Sequence, residues 1–376
     1  MSIRWQGRQA LNKIKPYSPG KAIAEVKEEL GLETVYKMAS NENPLGPSPY
    51  ALEAIKGCLE AIHIYPDGSS LALKKAIAGK LGLSPEEVLI GNGSDEIIKL
   101  AGESFLSPGD VIIMGDPSFS EYDYAGNLMD AEVRKIPLKN HAFDLPAIAA
   151  AIDPKVRIIA LCNPNNPTGT VLEEKDLREF IRQVPEDVIV ILDEAYKEYA
   201  GEGFFSGISF VREGCKNILV LNTFSKIYGL AALRVGYGLG SSELISWILR
   251  AKEPFNVNLL AQKGAEAALA DERHVLASLA LNDEGKEYLY QEFQRRGFTS
   301  APTGGNFIWT DIGADSLRVF DGLLRRGVVI RPGAVFGAPS HIRVTIDRME
   351  VNRHFIQMLD EVLKEMGREA AQSSWQ

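Results

Sequence analysis

The chain has 376 residues, 45% of them hydrophobic and 24% charged, with a formal net charge of −9. That length exceeds what one hydrophobic core usually fills, so two domains are expected. An acidic surface argues against broad binding to nucleic acid or anionic membranes, while leaving room for a small basic pocket.

The N-terminus, Met1-Ser-Ile-Arg-Trp-Gln-Gly-Arg, lacks the apolar run of a secretion signal. No later stretch has the apolar length of a membrane span, so a cytoplasmic location is expected. Residues 16–49 are rich in turn formers around one helix, Lys21–Leu30, and read as an ordered loop or arm. From Leu52 onward, helices alternate with short apolar strands. The strands are Val88–Ile90, Val111–Met114, Val156–Leu161, Val188–Leu192 and Ile218–Leu221, and the intervening helices include Glu96–Phe105, Leu145–Ala151 and Glu173–Gln183. This alternation predicts an α/β fold with a mostly parallel sheet flanked by helices. Leu244 to about Ala270 reads as a helical bridge. Beyond it come a helix near Asp283–Arg296, the run Asn306–Asp311, a helix near Ser316–Arg326, then Gly327–Pro332, His341–Ile346 and a closing helix Glu350–Met366. These predict a smaller α+β domain formed by both chain ends. The expected boundaries are 1–48 for the arm and part of the small domain, 49–265 for the large domain and 266–376 for the rest of the small one.

Polar motifs fall directly after strands. Gly91-Asn-Gly-Ser-Asp-Glu96 follows Val88–Ile90, Asn163-Pro-Asn-Asn-Pro-Thr-Gly169 follows Val156–Cys162, Asp193-Glu-Ala-Tyr196 follows Val188–Leu192, and Asn222-Thr-Phe-Ser-Lys226 follows Ile218–Leu221. In open parallel sheets, ligands sit outside the carboxyl ends of strands, so the four clusters converge on one rim. Gly91 and Gly93 allow a tight turn, and Ser94 or Asp95 opens a helix whose free N–H groups attract an anion; a plain helix cap is an equally common reading. Arg234, eight residues after Lys226, adds a cation suited to phosphate. Lys226 lies between apolar flanks, and shielding of that kind lowers a lysine pKa and suits Schiff-base formation. Asp193 ends an apolar run and needs a cationic or hydrogen-bonding partner, such as a protonated ring nitrogen. The three scattered cysteines, Cys58, Cys162 and Cys215, carry no metal-binding spacing and suit a reducing compartment.

These runs, together with Lys37-Met-Ala-Ser-Asn-Glu-Asn-Pro-Leu-Gly-Pro-Ser-Pro49, Tyr65-Pro-Asp67, Gly229–Tyr237 and His341-Ile-Arg-Val-Thr345, resemble the histidinol-phosphate aminotransferase family of fold-type I pyridoxal-phosphate enzymes over nearly the whole chain. The resemblance implies pyridoxal 5'-phosphate held covalently by Lys226, which is also the proton-moving base, with Asp193 on the ring nitrogen and Asn166 and Tyr196 on the ring's phenolic oxygen. It implies Tyr122 stacked on the ring. It implies a phosphate seat of Ser94, Asp95, Thr223, Ser225 and Arg234, and Tyr65 reaching a phosphate across a homodimer interface. For substrate it implies Arg343 on the α-carboxylate and Arg331 on the side-chain phosphate of histidinol phosphate or the distal carboxylate of 2-oxoglutarate. Tyr17, Asn43 and Asn256 are further pocket candidates. From the residues alone, Tyr122 and Tyr196 also read as core aromatics, Asn166 as a turn residue, and Thr223 and Ser225 as local backbone partners. The family pattern has a glycine where this chain has Asp347, which puts the turn beside Arg343 in question. The implied reaction is transamination between histidinol phosphate and 2-oxoglutarate, giving imidazole-acetol phosphate and glutamate in histidine biosynthesis. The rival readings are an aromatic amino-acid aminotransferase, a decarboxylase of phosphorylated amino acids, and a non-catalytic cofactor-binding regulator. A dinucleotide oxidoreductase would need a GxGxxG order that is absent.

Overall fold

The computed structural model describes residues 7–16 and 23–373. Its thirteen strands, in chain order, are β1 Tyr36–Lys37, β2 Val88–Gly91, β3 Val111–Asp116, β4 Glu132–Pro137, β5 Val156–Cys162, β6 Ile189–Asp193, β7 Ile218–Thr223, β8 Gly236–Leu239, β9 Thr299–Ser300, β10 Phe307–Asp311, β11 Val328–Val329, β12 Arg331–Pro332 and β13 His341–Thr345.

Seven strands form one sheet in the order β2-β8-β7-β6-β5-β3-β4. β7, β6, β5, β3 and β4 are mutually parallel, and β8 runs antiparallel to both β7 and β2. Strands buried on both faces read as unbroken apolar runs, which is why β5, β6 and β7 stand out in the sequence. Two strands of the sheet lie outside the expected set. β4 is one of the two edge strands, and its Glu-Val-Arg-Lys-Ile-Pro sequence is polar, as exposed edges usually are. β8 reads Gly-Tyr-Gly-Leu, and its glycines hide it from a propensity reading. Gly236 is required there: a Cβ at that position would lie 2.7 Å from the Ser94 backbone nitrogen.

The second layer is an antiparallel sheet in the order β12-β13-β10-β9. β1 pairs in parallel with β11, which brings the segment after the helix Ile23–Leu30 against this layer, with Met38 in its core. The expected bridge at Leu244–Ala270 is corrected. Two helices, Ser242–Ile248 and Leu259–Leu269, are separated by a segment containing Pro254, which cannot donate to a helical ladder, and Phe255 at φ 55°. The element that joins the two cores is the next helix, Glu272–Arg295, longer than the expected Asp283–Arg296. The Asp271 side chain caps it by accepting from the His274 N–H. Val275 and Leu279 pack on the large core, whereas Leu289 and Phe293 lie in the small one.

Candidate active site

The carboxyl ends of the parallel strands open into a cavity of about 440 Å³, the size range of small-molecule sites. One end is an anion seat. Gly93 precedes the twelve-residue helix Ser94–Phe105 at φ +85° and offers no side-chain cap. A Cβ there would stand 2.6 Å from Arg234 Nη2, so only glycine lets the guanidinium close on the helix N-terminus. Arg234 donates to Asp95 Oδ2 at 3.0 Å and to Ser225 Oγ at 3.4 Å. Thr223, at the end of β7, accepts from the Ser225 N–H at 3.1 Å. A helix N-terminus, two hydroxyls and a guanidinium suit a phosphate.

Asp193, the last residue of β6, forms the floor. It is buried, and it accepts from the Tyr122 hydroxyl at 2.7 Å and the Ala195 N–H at 3.1 Å. Burial pushes its pKa up to about 6. The neighbouring Glu194 turns elsewhere, accepting from the Ser206 hydroxyl at 2.6 Å and the Gly207 N–H at 2.5 Å. Lys226 projects into the cavity from the turn after β7. Its ammonium donates to the Ser40 carbonyl at 3.0 Å and lies 5.5 Å from the Tyr196 ring centre. Burial, and then the charge of Arg343, lower its pKa to about 8. An amine in that range is a competent nucleophile near neutral pH.

The Tyr196 hydroxyl accepts from Asn41 Nδ2 at 3.0 Å and from Asn166 Nδ2 at 3.5 Å. Arg343 reaches in from β13, donating to Asn166 Oδ1 and to the Ala39 carbonyl, with its guanidinium 5.4 Å from the Phe307 ring centre. Arg331 on β12 stands opposite Arg343 in register, and both line the cavity. Like charges facing one another across adjacent strands are unfavourable on their own, so this pairing calls for anionic ligand groups.

Of the residues singled out in the sequence, Ser94, Asp95, Asn166, Asp193, Tyr196, Thr223, Ser225, Lys226, Arg234, Arg331 and Arg343 line this cavity together. Others lie elsewhere. Tyr122 is fully buried and touches Asp193 through its hydroxyl, while the cavity wall beside it is Phe119, Ser120 and Glu121. Asn43 is not a pocket residue: its amide is consumed by the Ile227 carbonyl and the Ser278 hydroxyl, both at 2.8 Å. Asn256 is not one either, since it donates to Glu96 at 2.6 Å and accepts from Lys252 at 2.9 Å. Tyr65 is 80% exposed, stacked on Phe255 at 4.8 Å and outside this chain's own cavity. Tyr17 lies outside the described residues. Sequence reasoning missed Asn41, Phe119, Glu121 and Phe336, which also line the cavity. Asn41 sits two residues from Asn43 in the same quoted run, and only the backbone path separates them. At Asp347 the backbone φ is not left-handed, so no glycine is demanded. The turn is closed by the Asp347 N–H to Asn352 Oδ1 and Asn352 Nδ2 to the Asp347 carbonyl, which leaves Arg343 in the cavity.

A doubly layered α/β chain with a lysine, a buried aspartate and an anion seat on one sheet rim has the features of the class I and II aminotransferases, and the model of that family matches residues 33–359. The chain is 50% identical over 357 residues to the histidinol-phosphate aminotransferase of Moorella thermoacetica, covering 95% of this chain and 92% of that protein. It is 44% identical to the enzyme of the same name from Caldicellulosiruptor saccharolyticus, covering 95% and 99%. The crystal structure of histidinol-phosphate aminotransferase from Sinorhizobium meliloti, in complex with pyridoxal-5'-phosphate, superposes with a TM-score of 0.89 at 23% identity over 97% of this chain and 99% of that one. Aspartate aminotransferase from Thermus thermophilus superposes with a TM-score of 0.83 at 21% identity, over 96% of this chain and all of that one, and shares the fold. The chain belongs to the histidinol-phosphate aminotransferase family.

Proposed function

We propose that the chain is a pyridoxal-phosphate-dependent transaminase that moves an amino group between histidinol phosphate and 2-oxoglutarate in histidine biosynthesis. The observation that carries the substrate reading is the opposed pair Arg331 and Arg343, two cations that line the same cavity as the Lys226 amine. The 44–50% identity to enzymes named for this substrate supports it. The cavity fits the cofactor on its own terms. An uncapped helix N-terminus beside Arg234 suits the phosphate, and a buried carboxylate whose negative charge is disfavoured by its surroundings gains from a cationic ring nitrogen.

When bound, the cofactor supplies an electron sink that stabilises charge at the substrate α-carbon. The protein's residues do the rest. Lys226 would hold the cofactor, and its Nζ would carry the α-proton. Asp193, oriented by Tyr122 and the Ala195 N–H, keeps the ring nitrogen protonated. Asn166 and Tyr196 hydrogen-bond the phenolic oxygen. Arg343 takes the α-carboxylate of glutamate, and Arg331 takes its distal carboxylate or the phosphate of histidinol phosphate.

We further propose a homodimer. Ile62 and Ile64 precede Tyr65, all largely exposed, and an apolar stretch of this kind marks an interface. Tyr65 would then reach the phosphate of the partner subunit. The domain division 1–48, 49–265 and 266–376 is proposed as part of this reading, with the helix Glu272–Arg295 shared between the two cores, as is a reducing, cytoplasmic setting for the free thiols of Cys58, Cys162 and Cys215. The test is turnover on histidinol phosphate, phenylalanine and tyrosine with 2-oxoglutarate as acceptor. The reading predicts a strong preference for histidinol phosphate. Equal or better turnover of the aromatic amino acids would replace it with the aromatic aminotransferase alternative.

A further inference from the structure

Asn41 has no role in the functions assigned above, yet it holds a fixed position at the cavity edge. It sits at φ 57°, a left-handed backbone that asparagine tolerates better than most residues. Its backbone N–H donates to Thr345 Oγ1 at 3.0 Å, and the Thr345 hydroxyl donates back to Asn41 Oδ1 at 3.1 Å. Its carbonyl accepts from Asn306 Nδ2 at 3.0 Å. With Oδ1 occupied by Thr345, the amide nitrogen is left facing the Tyr196 hydroxyl at 3.0 Å.

The second amide on Tyr196 is oriented for an equally simple reason. Arginine carries donors only, so Arg343 fixes Asn166 Oδ1 toward itself and turns Asn166 Nδ2 toward Tyr196. The Tyr196 oxygen therefore accepts from both sides. Among the described residues no acceptor takes its proton, and that proton is left to point into the cavity. Tyr196 is buried, so the direction of its hydroxyl is set by these neighbours and not by bulk water.

We infer that Asn41 and Thr345 form a positioning relay that fixes the direction of the Tyr196 hydroxyl, so that it donates to the ligand and does not accept from it. The inference rests on the proposed cofactor reading, in which that ligand atom is the phenolic oxygen. Thr345 lies on the same strand as Arg343, two residues away, so the relay ties the strand that carries the substrate arginine to the residue that tunes the cofactor.

The consequence is electronic. A hydroxyl that donates to the phenolic oxygen draws charge from it and loosens the proton on the nitrogen joining Lys226 to the cofactor. A lost or reversed hydroxyl tightens that proton. The test is a pH titration of the cofactor's visible absorbance in the loaded enzyme. Asn41→Gly removes the amide while suiting the left-handed backbone, and it should raise the absorbance midpoint by roughly half to one pH unit, the worth of one ordinary hydrogen bond. Thr345→Val, which frees the Asn41 amide to turn over, should raise it in the same direction, whereas Thr345→Ser should restore it. In a Tyr196→Phe background, Asn41→Gly should add no further shift.

Unchanged midpoints in both Asn41→Gly and Thr345→Val would overturn the relay, and so would a full additional shift in the Tyr196→Phe background. If Asn41→Gly fails to fold, the Thr345→Val and Thr345→Ser pair decides alone. An unsubstituted protein that takes up no cofactor absorbance at all would instead overturn the cofactor reading, and the relay with it.

Discussion

Asp193 shows how a binding site is maintained against the stability of the chain that carries it. A carboxylate buried at the end of an apolar strand resists ionisation, and its pKa stands at about 6 against an ordinary 3.8. Between those values the folded chain binds more protons than the unfolded one. Stability therefore falls as pH rises through that window, and the full cost is present above pH 6. Asp193→Asn should accordingly stabilise the cofactor-free protein by on the order of 2 kcal/mol at pH 7.5, a gain that vanishes near pH 4. Urea unfolding at the two pH values checks this, and a gain of equal size at both would contradict it. The same substitution should weaken cofactor binding. Arg331 makes a separate residue-scale prediction. Arg331→Ala should lower kcat/KM for histidinol phosphate by roughly ten- to a hundredfold, the worth of a charge-assisted hydrogen bond, and leave kcat/KM for the phenylalanine half-reaction, measured without 2-oxoglutarate, nearly unchanged. Equal losses on the two substrates would count against its contact with phosphate.

At the scale of elements, the site depends on close backbone approaches that only glycine permits. Gly229, at φ +68°, ends the turn that carries Lys226, and a Cβ there would lie 2.1 Å from the Gly46 carbonyl oxygen. Gly229→Ala should cost roughly 2–4 kcal/mol, from left-handed strain plus displaced backbone, and should shift Lys226 as well. Chemical denaturation measures the first effect and cofactor affinity the second. These elements also mark what the sequence could and could not reveal. β5, β6 and β7 are buried on both faces and announce themselves as apolar runs, and the polar residues at their ends are the ones that line the cavity. β4 and β8 escaped because one is a charged edge and the other is half glycine. Asn41 and Asn43 are both asparagines in one turn-rich run, and periodicity does not apply to an irregular segment. Their separation, one toward Tyr196 and the other toward Ser278, is set by contacts some 155 and 235 residues away in the chain. Glu121 and Phe119 escaped because a helix start beside a cavity leaves no composition signal.

For the whole molecule, the cavity draws on both layers. The large sheet supplies the amine, the aspartate and the anion seat, whereas the small sheet supplies both arginines. The helix Glu272–Arg295 packs into both cores. The exposed stretch around Tyr65 extends this dependence to a second copy. Tyr65→Ala should loosen cofactor binding with little effect on the stability of the single chain, because its side chain is largely exposed there. Equilibrium dialysis of the cofactor against the variant, alongside sedimentation, checks that. The claim on which all of this depends is that Lys226 is the residue bearing the cofactor. Borohydride reduction of the loaded enzyme, followed by peptide mass analysis, tests it most directly. The account predicts a single modified peptide carrying the added mass on Lys226, and none from Lys226→Ala treated in the same way. A stable adduct on another lysine, or the same adduct in the variant, would contradict it.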